Sequence, residues 1–180
     1  PNLITYNSCI SACGQSKQWQ QALRIIDMMN NANVKPDTIS WNAIITAYGA
    51  SRQWMQSLEI LKDMKEKYGV QPNVISYNSA ISALGSRQWQ KCLSLLREMG
   101  SDGACKVRPD VITYNSCIAA CGNSKEWQVA MELFDEMQKL RLSPNVITCN
   151  AILSALRQSK RWQELVDIAQ QILSRGILPR

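Results

Sequence analysis

The 180-residue sequence predicts an all-α protein of five helical hairpins arranged in series, and three recurring observations carry that expectation. A phrase, Pro-Asn/Asp-x-Ile-Thr/Ser-aromatic-Asn, returns as PNLITYN at Pro1, PDTISWN at Pro36, PNVISYN at Pro72 and PDVITYN at Pro109; PNVITCN at Pro144 has cysteine in the aromatic place. A second landmark follows in step: serine, a basic residue, one further residue and Trp, from Ser16 to Trp19, Ser51 to Trp54, Ser86 to Trp89, Ser124 to Trp127 and Ser159 to Trp162. Between the landmarks, apolar residues recur at helical spacing.

Boundaries placed after each Pro-x pair divide a single array, 1–180, into units 3–37, 38–73, 74–110, 111–145 and 146–180, of 35, 36, 37, 35 and 35 residues. Such an array shares its core between neighbouring units, and five units exceed the roughly three needed for stability.

Each unit reads as two helices. In the first unit Ile4, Cys9, Ile10 and Cys13 lie on one helical period, and Trp19, Ala22, Leu23, Ile26 and Met29 form a second stripe after a break at Gly14 and Gln15. Gly14, Gly49, Gly85 and Gly122 are expected just past the end of the first helix, where a left-handed backbone suits glycine; Arg157 takes that place in the fifth unit. Ser16, Ser51, Ser86, Ser124 and Ser159 are expected to cap the second helix, and the proline before each new unit to stop it. The third unit is one residue short between Tyr77 and Trp89 and carries an extra Gly100 to Ala104 stretch, which predicts a flexible exit loop and disturbed stacking there. Pro1 and Asn2 look like the close of a preceding unit, so the array is expected to be part of a longer one.

Twenty Lys and Arg against 14 acidic residues give a net charge of +6, a moderate bias toward polyanions. Seven cysteines lack any Cys-x-x-Cys spacing and there is no histidine, so neither a metal site nor another cofactor is implied, and a reducing compartment is expected. Cys9 with Cys13, and Cys117 with Cys121, read as small apolar core residues rather than a thiol site. No apolar run approaches the roughly 20 residues that cross a bilayer, so no membrane insertion is expected. Asp27, Glu59, Asp63, Glu132 and Asp135 are scattered over outer helix faces, and no constellation suggests an enzyme or a small-molecule substrate.

A 35-residue hairpin that opens Val/Ile-Thr-Tyr-Asn, carries an Ala-Leu in its second helix and a late Met, and closes on Pro-Asp or Pro-Asn resembles the pentatricopeptide repeat family, most plainly at Val111 to Asn145. The resemblance covers essentially the whole chain. It implies a right-handed α-solenoid superhelix of about ten antiparallel helices, with the first helix of each unit lining a concave face that binds single-stranded RNA at one base per repeat. It also implies a mitochondrial or plastid setting and a role in RNA processing, stability, editing or translation.

Base choice in the family rests on the residue after the aromatic and the last residue of the unit. The resemblance therefore implies the pairs Asn7 with Asp37, Asn42 with Asn73, Asn78 with Asp110, Asn115 with Asn145, and Asn150 with Arg180. Family rules imply uracil for Asn with Asp and cytosine for Asn with Asn, a pyrimidine-preferring U-C-U-C followed by an unassigned base. The Asp/Asn series also suits helix caps whether or not RNA binds. Ile4, Ile39, Ile75, Ile112 and Ile147 match the position that sandwiches the base. Lys17, Arg52, Arg87, Lys125 and Lys160 form a row, one per unit, that reads equally as phosphate contacts or as a solvated charged edge. The five tryptophans read as packing between the two helices of their hairpins. A second function fits the same residues: an architectural subunit holding proteins or rRNA in a large organellar complex such as a mitochondrial ribosome.

Overall fold

The computed structural model describes residues 1–100 and 107–174. Among these are ten α-helices and no strand: α1 Leu3–Gln15, α2 Trp19–Asn31, α3 Thr38–Ala50, α4 Trp54–Glu66, α5 Val74–Leu84, α6 Trp89–Gly100, α7 Val111–Asn123, α8 Trp127–Lys139, α9 Val146–Gln158 and α10 Trp162–Ser174. A 3-10 turn, Ser86–Gln88, precedes α6. The predicted exit loop at Ser101 to Ala104 lies outside the described residues.

The helices fall into two compact units. In one, α1, α3 and α5 pack side by side, with α2 and α4 laid against them. In the other, α7 and α9 are the side-by-side pair, with α6, α8 and α10 against them. An interior first helix such as α3 is thus buried on several sides, and a second helix such as α4 on one. The sequence reflects this: α3 buries Ser40, Trp41, Asn42, Ile44, Ile45, Ala47 and Tyr48, whereas α4 buries only Ser57, Leu61 and Met64. Each fully buried Ile, Leu or Met contributes roughly 1.5–3 kcal/mol. Ser57 stands in this apolar stripe because its hydroxyl donates to the Ile45 carbonyl, 3.1 Å away on α3.

The turns differ from expectation. Gly14, Gly49 and Gly122 lie within α1, α3 and α7 and none has a positive φ. The left-handed residue is instead the basic one that follows the serine: Lys17 (φ 58°), Arg52 (60°), Lys125 (65°) and Lys160 (56°). Ser16, Ser51, Ser124 and Ser159 close the first helices, and Gln18, Gln53 and Glu126 precede the second ones without any side-chain capping bond. Two backbone bonds define each turn, as in Gln18 N–H to Cys13 O (2.9 Å) and Lys17 N–H to Gly14 O (3.2 Å), the paired bonds of a Schellman ending. Arg157 replaces the glycine in the fifth hairpin, yet Lys160 and Arg161 make the same two bonds, at 3.1 and 2.9 Å, so the turn does not require glycine.

The glycines serve helix approach. A Cβ on Gly49 would sit 2.8 Å from Ala83 Cβ, and one on Gly122 would sit 2.7 Å from Ala155 Cβ, where neighbouring first helices touch. In the third hairpin the turn is shortened: α5 has 11 residues, Gly85 turns the chain with a positive φ (59°) and Ser86–Gln88 forms the 3-10 turn. Its two helices also divide between the units, α5 in one and α6 in the other.

The prolines do not stop the second helices. α2 ends at Asn31, and left-handed Asn33 turns the chain well before Pro36. Gly69 and Arg141 do the same after α4 and α8. Pro36, Pro109 and Pro144 instead precede the extended N-cap residues Asp37, Asp110 and Asn145, a place where a missing N–H is harmless.

Alanine at Gly49 or Gly122 gains about 1 kcal/mol of helix propensity but forces apart two helices, an overpacking cost of typically 1–3 kcal/mol. Chemical denaturation should find Gly49→Ala and Gly122→Ala destabilised by up to about 2 kcal/mol. Gly14→Ala, whose nearest neighbouring atom is 3.4 Å away, should be neutral or slightly stabilised.

Candidate nucleic-acid interface

One face of the first helices carries a row of bare isoleucines: Ile4, Ile39, Ile75, Ile112 and Ile147 are 74, 62, 56, 61 and 65% exposed. Each is the second residue of its helix. An open cleft of about 540 Å³ lies between Ile4 and Ile39 with Asn7 in its lining, and one of about 300 Å³ lies between Ile39 and Ile75 with Asn42 in its lining.

The asparagine in each lining is held by the next repeat. Asn7 Nδ2 donates to Asp37 Oδ1 (3.1 Å), and Asn7 Oδ1 accepts from the Ser40 hydroxyl (2.5 Å). Ser40 accepts the Asp37 backbone N–H (3.2 Å) and returns its own N–H to Asp37 Oδ1 (2.9 Å), closing a capping box on α3. Asn42, Asn73 and Ser76 repeat the arrangement: 3.3 Å from Asn42 Nδ2 to Asn73 Oδ1 and 2.6 Å from the Ser76 hydroxyl to Asn42 Oδ1. In the second unit Asn115, Asn145 and Thr148 give 3.2 and 2.6 Å.

A hydroxyl is needed at Ser40, Ser76 and Thr148 because one group must donate to the preceding asparagine while accepting the cap N–H. All three are fully buried. Capping and asparagine pairing are therefore not alternatives for Asp37, Asn73 and Asn145, since one Oδ1 serves both. Burial opposes ionisation of Asp37, but bonds from the Ser40 backbone and hydroxyl and from Asn7 outweigh it and hold the carboxyl below its ordinary pKa.

Comparisons with known proteins now bear on this arrangement. A PPR repeat family signature matches residues 109–158, a pentatricopeptide repeat domain signature matches 1–51 and 24–87, and a PPR repeat signature matches 75–103. The chain belongs to the pentatricopeptide repeat family. Maize PPR10 has the same fold at 25% identity and a TM-score of 0.75, aligned over 100% of this chain and 25% of that one. PPR10 in complex with an 18-nt psaJ RNA element aligns at 22% identity and TM-score 0.81, over 98% of this chain and 26% of that one. The PPR domain of Arabidopsis thaliana protein-only RNase P 1, in complex with tRNA, aligns at 14% identity and TM-score 0.77, over 99% of this chain and 92% of that domain. This pentatricopeptide array thus spans about a quarter of the length of PPR10. No curated protein sequence matches it.

The remaining expected site residues of the array fall as follows. Asn78 is half-buried on α5, Asp110 caps α7 through Thr113 N–H (2.9 Å), and Asn150 is exposed on α9. Arg180 lies outside the described residues. The asparagines do not all stand open in a groove as expected: Asn42 and Asn115 are only 8 and 7% exposed, because the next repeat's cap covers them. Ser40, Ser76, Thr113 and Thr148 were missed by sequence reasoning, although hydroxyl residues fill that place in every copy of the recurring phrase.

Lys17, Arg52, Arg87, Lys125 and Lys160 are exposed at the far end of the first helices. The tryptophans start the second helices, but not one of the five is fully buried, and Trp19 and Trp127 have ring partners in the next hairpin. Trp19 stacks on Tyr48 of α3 at 5.3 Å, and the Arg161 guanidinium lies 4.5 Å over Trp127. Cys117 and Cys121 are buried, with burial pushing the Cys121 thiol up to about 11; Cys9 is exposed and Cys13 half-buried, so only the later pair is core. Asp27, Glu59, Glu132 and Asp135 are exposed and Asp63 pairs with Lys67 at 3.7 Å. Among the described residues no cluster fits a metal ion and no helix is long and apolar enough to cross a membrane.

Thr148→Val keeps the shape but strips the bond to buried Asn115 Oδ1, and urea unfolding should show a loss of about 1–3 kcal/mol. The lowered Asp37 pKa makes a second prediction. Its ionised form stabilises the fold above the ordinary carboxylate pKa, and that stability is lost as pH falls through the lower folded value. An NMR titration should therefore find the Asp37 pKa raised toward normal by Asn7→Ala.

Proposed function

We propose that the chain binds single-stranded RNA with one base in each cleft between exposed isoleucines, and that it prefers pyrimidines. The observation that carries this reading is the fixed asparagine in the lining of the cleft. With Asn7 Oδ1 committed to Ser40 and one amide hydrogen to Asp37, Asn7 retains a single N–H for a ligand. Asp37 Oδ2, which takes no part in the bonds with Asn7 and Ser40, supplies an acceptor beside it. A donor beside an acceptor matches uracil, whose Watson–Crick edge places a carbonyl next to an N–H.

At the next cleft Asn73 replaces the aspartate. Its Oδ1 is occupied by Asn42 and Ser76, so Nδ2 is what it offers, and two donors side by side match the O2 and N3 acceptors of cytosine. Asn115 with Asn145 repeats the cytosine arrangement. The bare isoleucines supply flat apolar contact above and below the base without reading it. The +6 charge favours a polyanion, and PPR10 and the RNase P domain are known in complex with RNA. In this reading the ligand sequence is U-C-U-C from 5′ to 3′ along the array, and the setting is the mitochondrion or plastid, in RNA processing, stability or translation.

Fluorescence anisotropy with labelled UCUCU and AGAGA RNA at two salt concentrations tests the proposal. UCUCU should bind more tightly, with an affinity that falls as salt rises; equal or absent binding to both would overturn it in favour of an architectural role. Asp37→Asn keeps the cap while converting the first acceptor into a donor. It should shift preference from UCUCU toward CCUCU, by about 5- to 150-fold for a pair worth 1–3 kcal/mol.

A further inference from the structure

The left-handed turns divide into two sets, one basic at every position and the other at one of three. At the ends of α2, α4 and α8 the left-handed residues are Asn33 (φ 54°), Gly69 (64°) and Arg141 (59°). Asparagine and glycine are the residues that tolerate this backbone best. At the ends of α1, α3, α7 and α9 the left-handed residues are Lys17, Arg52, Lys125 and Lys160, with no glycine or asparagine among them.

Backbone geometry does not explain the choice, because it is the same in both sets. The helix dipole does not explain it either, since a cation gains equally at the C-terminus of any helix. What differs is the layer: the basic set stands at the end of those helices that carry Asn7, Asn42, Asn115 and Asn150. The third hairpin is an internal control. There Gly85 turns the chain with φ 59° and ψ −166°, a region open essentially to glycine alone, and Arg87 is still present in the 3-10 turn although no turn geometry calls for it. The charge persists where the strain does not.

All five side chains are exposed, and among the described residues none forms an ion pair with a carboxylate. The turns are also pinned from one hairpin to the next. The Ser51 hydroxyl donates to the Lys17 carbonyl at 3.0 Å in the first unit, and the Ser124 hydroxyl to the Ser86 carbonyl at 2.5 Å in the second.

We infer that the exposed turn cations, Lys17 and Arg52 in one unit and Arg87, Lys125 and Lys160 in the other, form a phosphodiester-binding rail on each unit, one cation per repeat, at the ends of the first helices opposite their capped ends. The inference rests on the RNA-binding reading above and adds to it the site that holds the ligand backbone. Unpaired cations anchored on turns bind phosphate independently of sequence, so the rail contributes affinity and salt dependence but no base preference.

Glycine suits the left-handed turn better than lysine or arginine, so the combined variant Lys17→Gly, Arg52→Gly, Lys125→Gly and Lys160→Gly separates binding from folding. Its melting temperature should equal or exceed that of the unsubstituted chain. Its affinity for UCUCU should fall, and the slope of log K against log salt should become shallower by about 0.7 for each phosphate no longer neutralised, roughly 3 in all. Its preference for UCUCU over AGAGA should be retained. Arg141→Gly, the same turn in the other layer, should change none of these. Asparagine at the same four positions also accepts the left-handed backbone, and it should give the same shallower slope should the glycine set weaken the fold. An unchanged affinity and slope in either set, alongside pyrimidine-selective binding by the unsubstituted chain, overturns the rail alone. Failure of the unsubstituted chain to bind RNA overturns the reading beneath it as well.

Discussion

Within each compact unit, a buried hydroxyl links one hairpin to the one before it. Ser40, Ser76 and Thr148 each lock the N-terminus of their own helix and, with the same oxygen, fix the side chain of an asparagine in the preceding repeat. Since each hydroxyl is fully buried, removing it would leave an amide oxygen without water or partner. Helix capping, repeat register and the orientation of the cleft amide are thus one interaction. The cost of disturbing the fold and the cost of disturbing the site are for that reason coupled.

The close approach of the first helices follows the same logic on the other side of the hairpin. Gly49 against Ala83 and Gly122 against Ala155 bring backbones together where any larger side chain would hold them apart.

Much of this was legible in the sequence. The five-fold phrase and the Ser-basic-x-Trp landmark predict ten helices, and the paired partners Asn7 with Asp37, Asn42 with Asn73, and Asn115 with Asn145 do meet. The turns depart from expectation because glycine has two uses. A left-handed backbone and a close helix approach leave the same signature in one chain, and only the position of Ala83 or Ala155 from another repeat separates them. The tryptophans mislead in a similar way: period alone puts them on an apolar stripe, but it does not say that Trp19 meets Tyr48 of the next hairpin rather than a residue of its own.

The sequence by itself determined which residues recur and at what spacing, and hence the fold class, the family and the candidate clefts, because these depend on local helix propensity and on a period that any unit repeats. Tertiary structure alone decided which atoms remain available. Whether Asn42 offers one donor or two, and whether Asp37 presents one acceptor or both, depends on bonds to residues thirty or more positions away in the chain. Hydrogen-bond capacity is finite, so what a side chain offers a ligand is what its neighbours across the repeat boundary have left unused.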